Sequence, residues 1–244
     1  NKDKHKYFNK IFTWNDTLVD NQKYFKFNYS FNIPKVIPKI YDKRKLCCLI
    51  VGNKYSNHPN ELYSERKKLI RWFEENAPSD FYLFGVGWNE YRFKGMKLLR
   101  ALNRIPFLTK LMFKYFGDYY PSYQGKIDNK YEAMQDFKFA ICYENIKDIS
   151  GYITEKMLDA MFAGCIPIYL GADNVTEHIP KNAFIDKRDF ISYEELFSYI
   201  KNMDEVTYLN YLDNIEIFLR SKEGYKFSLE SNAKNILRVI SNVY

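Results

Sequence analysis

KFAICYENIKDISGYITEKMLDAMFAGCIPIYLG, Lys138–Gly171, decides the fold of this chain. Its first six residues, Lys138–Tyr143, are an apolar run with aromatic and β-branched side chains, the pattern of a buried strand. Glu144–Gly151 is polar and closes on glycine, which predicts a loop. From about Ile153 to Ala163 the residues Met157, Leu158, Met161 and Phe162 recur at helical spacing. Gly164 stands where a helix-ending glycine belongs. Ile166–Leu170 is a second buried strand, with Pro167 at its entrance where a missing N–H is tolerated. Strand, loop, helix, strand is one βαβ unit, which crosses over right-handed within a parallel sheet.

In such sheets ligands sit beyond the carboxyl ends of the strands. The loop Glu144–Thr154 and the first turn of the helix therefore face any ligand. A helix start offers unpaired N–H groups and the positive end of a dipole, both suited to phosphate. Tyr152, Thr154, Glu155 and Lys156 stand at that start. Lys156 supplies a cation for an anion, and Glu155 a carboxylate that accepts from sugar hydroxyls. A plainer reading has Thr154 as a helix cap and Glu155 and Lys156 as solvated surface. The residues alone leave the two readings balanced.

The rest of the chain bounds the answer. Its 244 residues suffice for one large domain or two small ones. Aromatic content of 18% suits clefts with apolar walls and polar rims. A formal charge of +7 fits an anionic ligand, a membrane surface or nucleic acid without choosing among them. No stripe of Lys and Arg with regular aromatic interleaving appears, so no nucleic-acid partner is expected. Cys47, Cys48, Cys142 and Cys165 form no C-x-x-C pair and have no His at zinc spacing. Cys47, Cys142 and Cys165 lie in or beside apolar runs, read as buried thiols and favour a reducing, cytoplasmic setting. No apolar run approaches the length of a membrane span and no signal peptide is visible. The opening NKDKHKYFNK lacks Met and reads like the interior of a longer protein, so truncation is expected.

In chain order, residues 31–41 carry Pro34 and Pro38 and look extended, as a linker would. LCCLIV, residues 46–51, predicts a strand. Glu61–Asn76 predicts a helix with Leu62, Leu69, Ile70 and Phe73 facing inward. Arg66 lies in that helix beside Glu65, Lys67 and Lys68 and by pattern is one solvated charge in a run. Asp80–Phe84 predicts a strand followed by Gly85-Val86-Gly87. Glu90 stands where a dinucleotide fingerprint needs a third glycine, so no NAD is implied. Pro106–Phe116, PFLTKLMFKYF, predicts a helix packed on the sheet or on another domain. Its alternative is an interfacial helix docked on an anionic membrane. Lys126 and Lys130 read as surface residues. A short strand is expected at Ala183–Ile185, with amphipathic helices at Ser192–Met203 and Asp204–Leu219. A last helix is expected at Lys226–Val243, packing back. His178 reads as the end of a short helix rather than as a base. Asp-x-Asp, common in metal-using sugar transferases, is absent, and no metal is expected.

The stretch YEN…GYITEKMLDAMFAGCIPIYLG resembles the donor-binding signature of the family 10 fucosyltransferases, the α-1,3/4-fucosyltransferases that use GDP-fucose. Elsewhere IFTWNDTLVDN, Gly85-Val86-Gly87 and YQGKIDNKYEAMQD resemble their counterparts, so the likeness runs from about Phe12 onward. It implies a two-domain GT-B fold, of which this chain holds the α/β, Rossmann-like C-terminal donor domain: a parallel sheet flanked by helices. Residues 1–44 would be a remnant of the acceptor domain and linker, 45–225 the donor-binding domain, and 226–244 a helix packing back. The implied activity is inverting transfer of L-fucose from GDP-fucose to a glycan hydroxyl in α-1,3 linkage. A non-catalytic nucleotide-sugar or glycan-binding module, or a transferase for another nucleotide sugar, remains the alternative. By position in the motif, Arg66 (with Lys67 as competitor) and Lys156 would stabilise the diphosphate leaving group. Asn145, Tyr152, Thr154, Glu155 and Gly171 would line the donor. No cofactor is implied beyond the donor substrate. The acceptor would be an oligosaccharide such as a lipopolysaccharide side chain, handled at the inner face of the membrane. The resemblance places the general base upstream of every matched residue, and Asp16 and Asp20 are poor candidates for it. Residues 91–120 are an insertion relative to short members of the family.

Overall fold

The computed structural model describes residues 2–43, 45–93 and 95–241. Its centre is a five-stranded, wholly parallel sheet. β3 (Lys45–Ile50), β4 (Phe81–Phe84), β5 (Phe137–Tyr143), β6 (Ile166–Leu170) and β7 (Ile185–Asp186) lie in the order β4-β3-β5-β6-β7. Two further strands near the start, β1 (Ile11–Thr13) and β2 (Tyr24–Lys26), pair with each other in a separate parallel ribbon. Strands buried on both faces read as continuous apolar runs rather than alternating ones, and β5, FKFAICY, is such a strand. Cys47 aligns with Phe139, and Ile141 with Ile168.

From β3 the chain steps to β4 on one side through α1 (Tyr63–Asn76). It later returns to β5 on the other side of β3, entered through α4 (Lys130–Gln135), and continues through α5 (Glu155–Phe162) to β6. Opposite steps with right-handed crossovers put α1 and α5 on opposite faces and leave a crevice between the carboxyl ends of β3 and β5. Leu69, Ile70 and Phe73 of α1 are fully buried, as their spacing predicts, and Phe73 stacks on Phe81 at 4.8 Å. Gly164 ends α5 at φ +68°, and a Cβ there would meet the Pro38 carbonyl at 2.1 Å. That glycine thus both ends the helix and admits the incoming chain.

Three later helices complete the domain: α6 (Tyr193–Lys201), α7 (Glu205–Arg220) and the short α8 (Lys222–Tyr225). The expected strand Ala183–Ile185 is displaced. Pro180 opens a tight turn whose Ala183 N–H returns to the Pro180 carbonyl, so pairing with β6 begins only at Ile185. The final helix, α9 (Leu229–Ser241), starts later than Lys226 because Phe227 and Ser228 close a turn on Gly224 and Tyr225. The last residues expected in that helix, 242 and 243, lie outside the described residues. Within residues 31–41, the expected linker is docked on the body of the protein. Phe31 pairs with Ser228 and Ile37 enters the core. Upstream, Asn235 of α9 donates to the Lys26 carbonyl and Asn232 to that of Asn28. The insertion carries two helices, α2 (Lys97–Ala101) and α3 (Pro106–Phe116).

Candidate active site

The carboxyl end of β5 runs straight into Glu144, and Glu144 is completely buried. Its carboxylate accepts from the Thr154 backbone N–H at 2.7 Å, the Thr154 hydroxyl at 2.7 Å and Lys156 Nζ at 2.9 Å. Lys156 Nζ also donates to the Thr154 hydroxyl at 2.7 Å and lies 3.4 Å from the Glu155 carboxylate. Burial works against the Lys156 ammonium, but the Glu144 and Glu155 carboxylates outweigh it and raise its pKa above the ordinary lysine value. Burial also opposes ionisation of Glu155. Lys156 and hydrogen bonds at the helix start overcome that and hold Glu155 below the usual glutamate range.

Thr154 takes the N-cap position by its extended backbone, yet its side chain does not cap the helix. The hydroxyl is committed to Glu144 and Lys156 instead. The first-turn amides of α5 therefore receive no acceptor from their cap side chain. The Glu155 carboxylate accepts from its own N–H, so an anion at this helix start competes with Glu155.

Arg66 corrects the expectation of a solvated charge, for it is only 3% exposed. One guanidinium nitrogen donates to the carbonyls of Tyr143 and Glu144, each at 2.7 Å, and to the Asn145 side chain at 3.1 Å. Its Nε is buried with no hydrogen-bond partner among the described residues. Burial pushes the guanidinium pKa down, against the pull of Tyr63, Glu144 and Tyr152. Arg66 thus grips the end of β5 from α1 while Lys156 grips the same residue, Glu144, from α5.

Asn145 passes the contact on, with its amide nitrogen 3.4 Å from the Tyr152 hydroxyl. Its carbonyl accepts from the Leu62 N–H at the start of α1. On the far side, the Glu144 N–H donates to the Leu170 carbonyl and the Asp148 N–H to that of Gly171. A Cβ on Gly171 would lie 2.4 Å from the Tyr169 hydroxyl and 2.6 Å from Glu144 Cγ. Glycine there is what lets β6 close on the buried carboxylate. The structure thus gathers Arg66, Glu144, Asn145, Tyr152, Thr154, Glu155, Lys156 and Gly171 around one strand end. Lys126 is exposed, and Lys130 pairs with Asp159 on α5, near enough to Glu155 to help lower its pKa.

Three contributors escape the list of candidate residues. Glu144 reads as the start of a polar loop, and its signals are its place directly after an apolar strand and its membership of the YEN motif. Trp14 and Tyr29, from the N-terminal segment, also reach the site. Trp14 packs on Tyr152 with ring centroids 4.7 Å apart. Tyr29 lies near enough to Glu155 and Glu144 that, after burial, their charges help raise its phenol pKa. Asp16 ties the same segment down through Lys26, Asn174 and His178 Nε2, the last at 2.7 Å. His178 ends a short turn, as expected, and faces Asp16. No group of His, Cys, Asp and Glu among the described residues is arranged to hold a metal ion.

The description of glycosyltransferase family 10 (fucosyltransferase), C-terminal part, matches residues 40–219, and the chain belongs to that family. It is 39% identical over 75 residues to an α-(1,3)-fucosyltransferase of Helicobacter pylori, covering 31% of this chain and 16% of that protein. Over 193 residues it is 28% identical to 4-galactosyl-N-acetylglucosaminide 3-α-L-fucosyltransferase 9 of Rattus norvegicus, covering 76% of this chain and 42% of the relative. A crystal structure of an α1,3-fucosyltransferase with GDP-fucose shares the fold, with a TM-score of 0.50 and 20% identity over 83% of this chain and 49% of that one. The chain thus spans less than half the length of these relatives.

Proposed function

We propose that this chain is the donor-binding part of an inverting fucosyltransferase. It would bind GDP-fucose and pass L-fucose to a hydroxyl of an oligosaccharide, in α-1,3 linkage. Family membership supports the reaction class, and the relatives named for α-(1,3) transfer support the linkage. The observation that carries the reading is local. An eight-residue helix begins at the switch point of the sheet with its cap hydroxyl turned away, and Lys156, its side chain 15% exposed, stands at the first turn.

In such a transfer the acceptor oxygen attacks C1 of fucose as the bond from C1 to the β-phosphate oxygen breaks. The acceptor proton passes to a base that we assign to no residue of this chain. Negative charge grows on the departing diphosphate. Fixed donors aimed at that charge stabilise the transition state more than the ground state. Lys156 and the α5 amides are the groups placed to do this. A charge-assisted hydrogen bond contributes roughly 1.5–3 kcal/mol and a helix start about 0.3–2 kcal/mol. Arg66 acts one step back, holding the carbonyls of β5 away from the anion. Glu155 and Tyr152 would meet the sugar. We further infer that no metal takes part and that the setting is cytoplasmic, since all four cysteines are buried, free thiols.

Calorimetric titration with GDP tests the reading. Lys156→Ala should bind at least about tenfold more weakly than the wild type, the loss of one charge-assisted contact. UDP should bind more weakly than GDP. Unchanged GDP affinity in Lys156→Ala would remove the assignment.

A further inference from the structure

The insertion between β4 and β5 is built as a surface for something else. It leaves at Gly85–Gly87 and returns at Tyr123–Gly125 along the free edge of β4, where the Gln124 N–H donates to the Leu83 carbonyl. Between them the chain is ordered by its own contacts. The Asn103 side chain clamps both the N–H and the carbonyl of Phe93, and the Tyr91 N–H donates to the Thr109 carbonyl. The inward face of α3 is Leu108, Thr109, Met112 and Phe113, with Thr109 buried.

A surface helix that has buried one apolar face normally turns polar residues outward. Here the outward face is apolar again. Phe107, Leu111 and Tyr115 form an exposed stripe at spacing i, i+4, i+8, and Phe107 is 76% exposed. Lys110 and Lys114 run beside them. On α2 all five residues are exposed, with Leu98 at 84%, and Met96 and Ile105 flank it in the open. Apolar side chains clustered in this way, rather than scattered singly, mark an interaction site.

The charges say what kind. From Tyr91 to Gly117 the sequence contains no Asp or Glu, but it contains Arg92, Lys94, Lys97, Arg100, Arg104, Lys110 and Lys114. Lys94 lies outside the described residues. Glu90 and Asp118 bracket the segment and none stands within it. A protein partner or a second copy of this basic chain would have to supply a wholly acidic face with apolar sockets. A bilayer with anionic headgroups supplies both features at once. Aromatic and aliphatic side chains enter the headgroup–acyl boundary, and lysines and arginines meet the phosphates.

We propose that helices α2 and α3 of the insertion dock this protein on an anionic lipid surface, Phe107, Leu111, Tyr115 and Leu98 inserting and Lys110, Lys114, Arg100 and Arg104 reading the headgroup charge. This is independent of the donor site, because none of these residues touches it.

Vesicle flotation of the whole chain tests it, with phosphatidylcholine alone and with phosphatidylcholine plus phosphatidylglycerol. The protein should float with the anionic vesicles, stay behind with the neutral ones, and be released by high salt. Phe107→Ser with Leu111→Ser should lose binding, and Lys110→Glu with Lys114→Glu should weaken it about tenfold or more. Both double variants should keep the wild-type melting temperature within a few degrees and the wild-type GDP affinity, which separates lost docking from lost fold and from failure of the donor reading. No flotation with anionic vesicles would overturn the proposal. Equal flotation of the charge-reversed variant would do the same. So would a wild-type dimer, by light scattering, that Phe107→Ser with Leu111→Ser dissolves without any vesicle binding, since that assigns the face to a second copy.

Discussion

At Glu144 a carboxylate without exposed surface takes hydrogen bonds from Thr154 and Lys156 while its backbone carbonyl is held by Arg66. Arg66 and Lys156 come from separate helices, and this one residue is their meeting point. Removing one partner of a buried pair leaves the other uncompensated. Lys156→Ala should therefore cost about 1–3 kcal/mol in urea denaturation, because Glu144 keeps only the two bonds from Thr154. Adding Glu144→Gln should recover much of that stability without recovering GDP affinity. Additive costs in the two single variants would show that the residues are not coupled. Glu144 was invisible to pattern reading for a physical reason. Its burial depends on Gly171, 27 positions later in the sequence, having no Cβ to hold β6 off. Arg66 was misread for a similar cause. Its neighbours Glu65, Lys67 and Lys68 make a charge run, and nothing in that run says that one member reaches through to the end of β5.

Among the elements, β5, α5 and β6 lie within two residues of where periodicity puts them, and Gly164 ends α5 as a left-handed residue. These elements are dictated by local signals: a continuous apolar strand, a helical apolar spacing and a glycine stop. The N-terminal segment was less legible because its strands are three residues long and its partners are distant in sequence. β1 and β2 pair over a short loop, and the chain then closes on the loop after β6 through Asp16. That clasp is open to a pH test. Burial raises the Asp16 pKa, but hydrogen bonds from Lys26, Asn174 and His178 overcome it, so the folded value lies below the ordinary aspartate range. A lowered carboxylate pKa contributes stability above the unfolded pKa, and that contribution is lost as pH falls through the folded one. Wild type should thus melt above Asp16→Asn at neutral pH, by an amount on the order of 1 kcal/mol. The gap should close as the solution is taken below about pH 4, the unfolded aspartate value. A gap that stays constant into acid would mean that the ionised form of Asp16 does not hold the segment.

For the molecule as a whole, the order β4-β3-β5-β6-β7 sets the topological switch point, the place where ligands of such sheets bind. The switch point falls between β3 and β5, and the residues singled out from the YEN and YITEK segments converge at its carboxyl end. Fold class was legible because one βαβ unit implies a parallel sheet, and the gathering of the motif residues at one sheet edge follows from that unit. The insertion's helix α3 was legible to the residue, Pro106–Phe116. Its exposure was not, since periodicity reports an apolar stripe without saying whether protein or another medium covers it. As proposed above, a diphosphate would rest on the first turn of α5 beside Lys156. A crystal structure of this chain grown with GDP tests it most directly. The β-phosphate should lie within hydrogen-bond distance of the α5 first-turn amides and of Lys156 Nζ, with Glu155 swung aside. GDP bound elsewhere on the chain, with those groups unaltered, would contradict it.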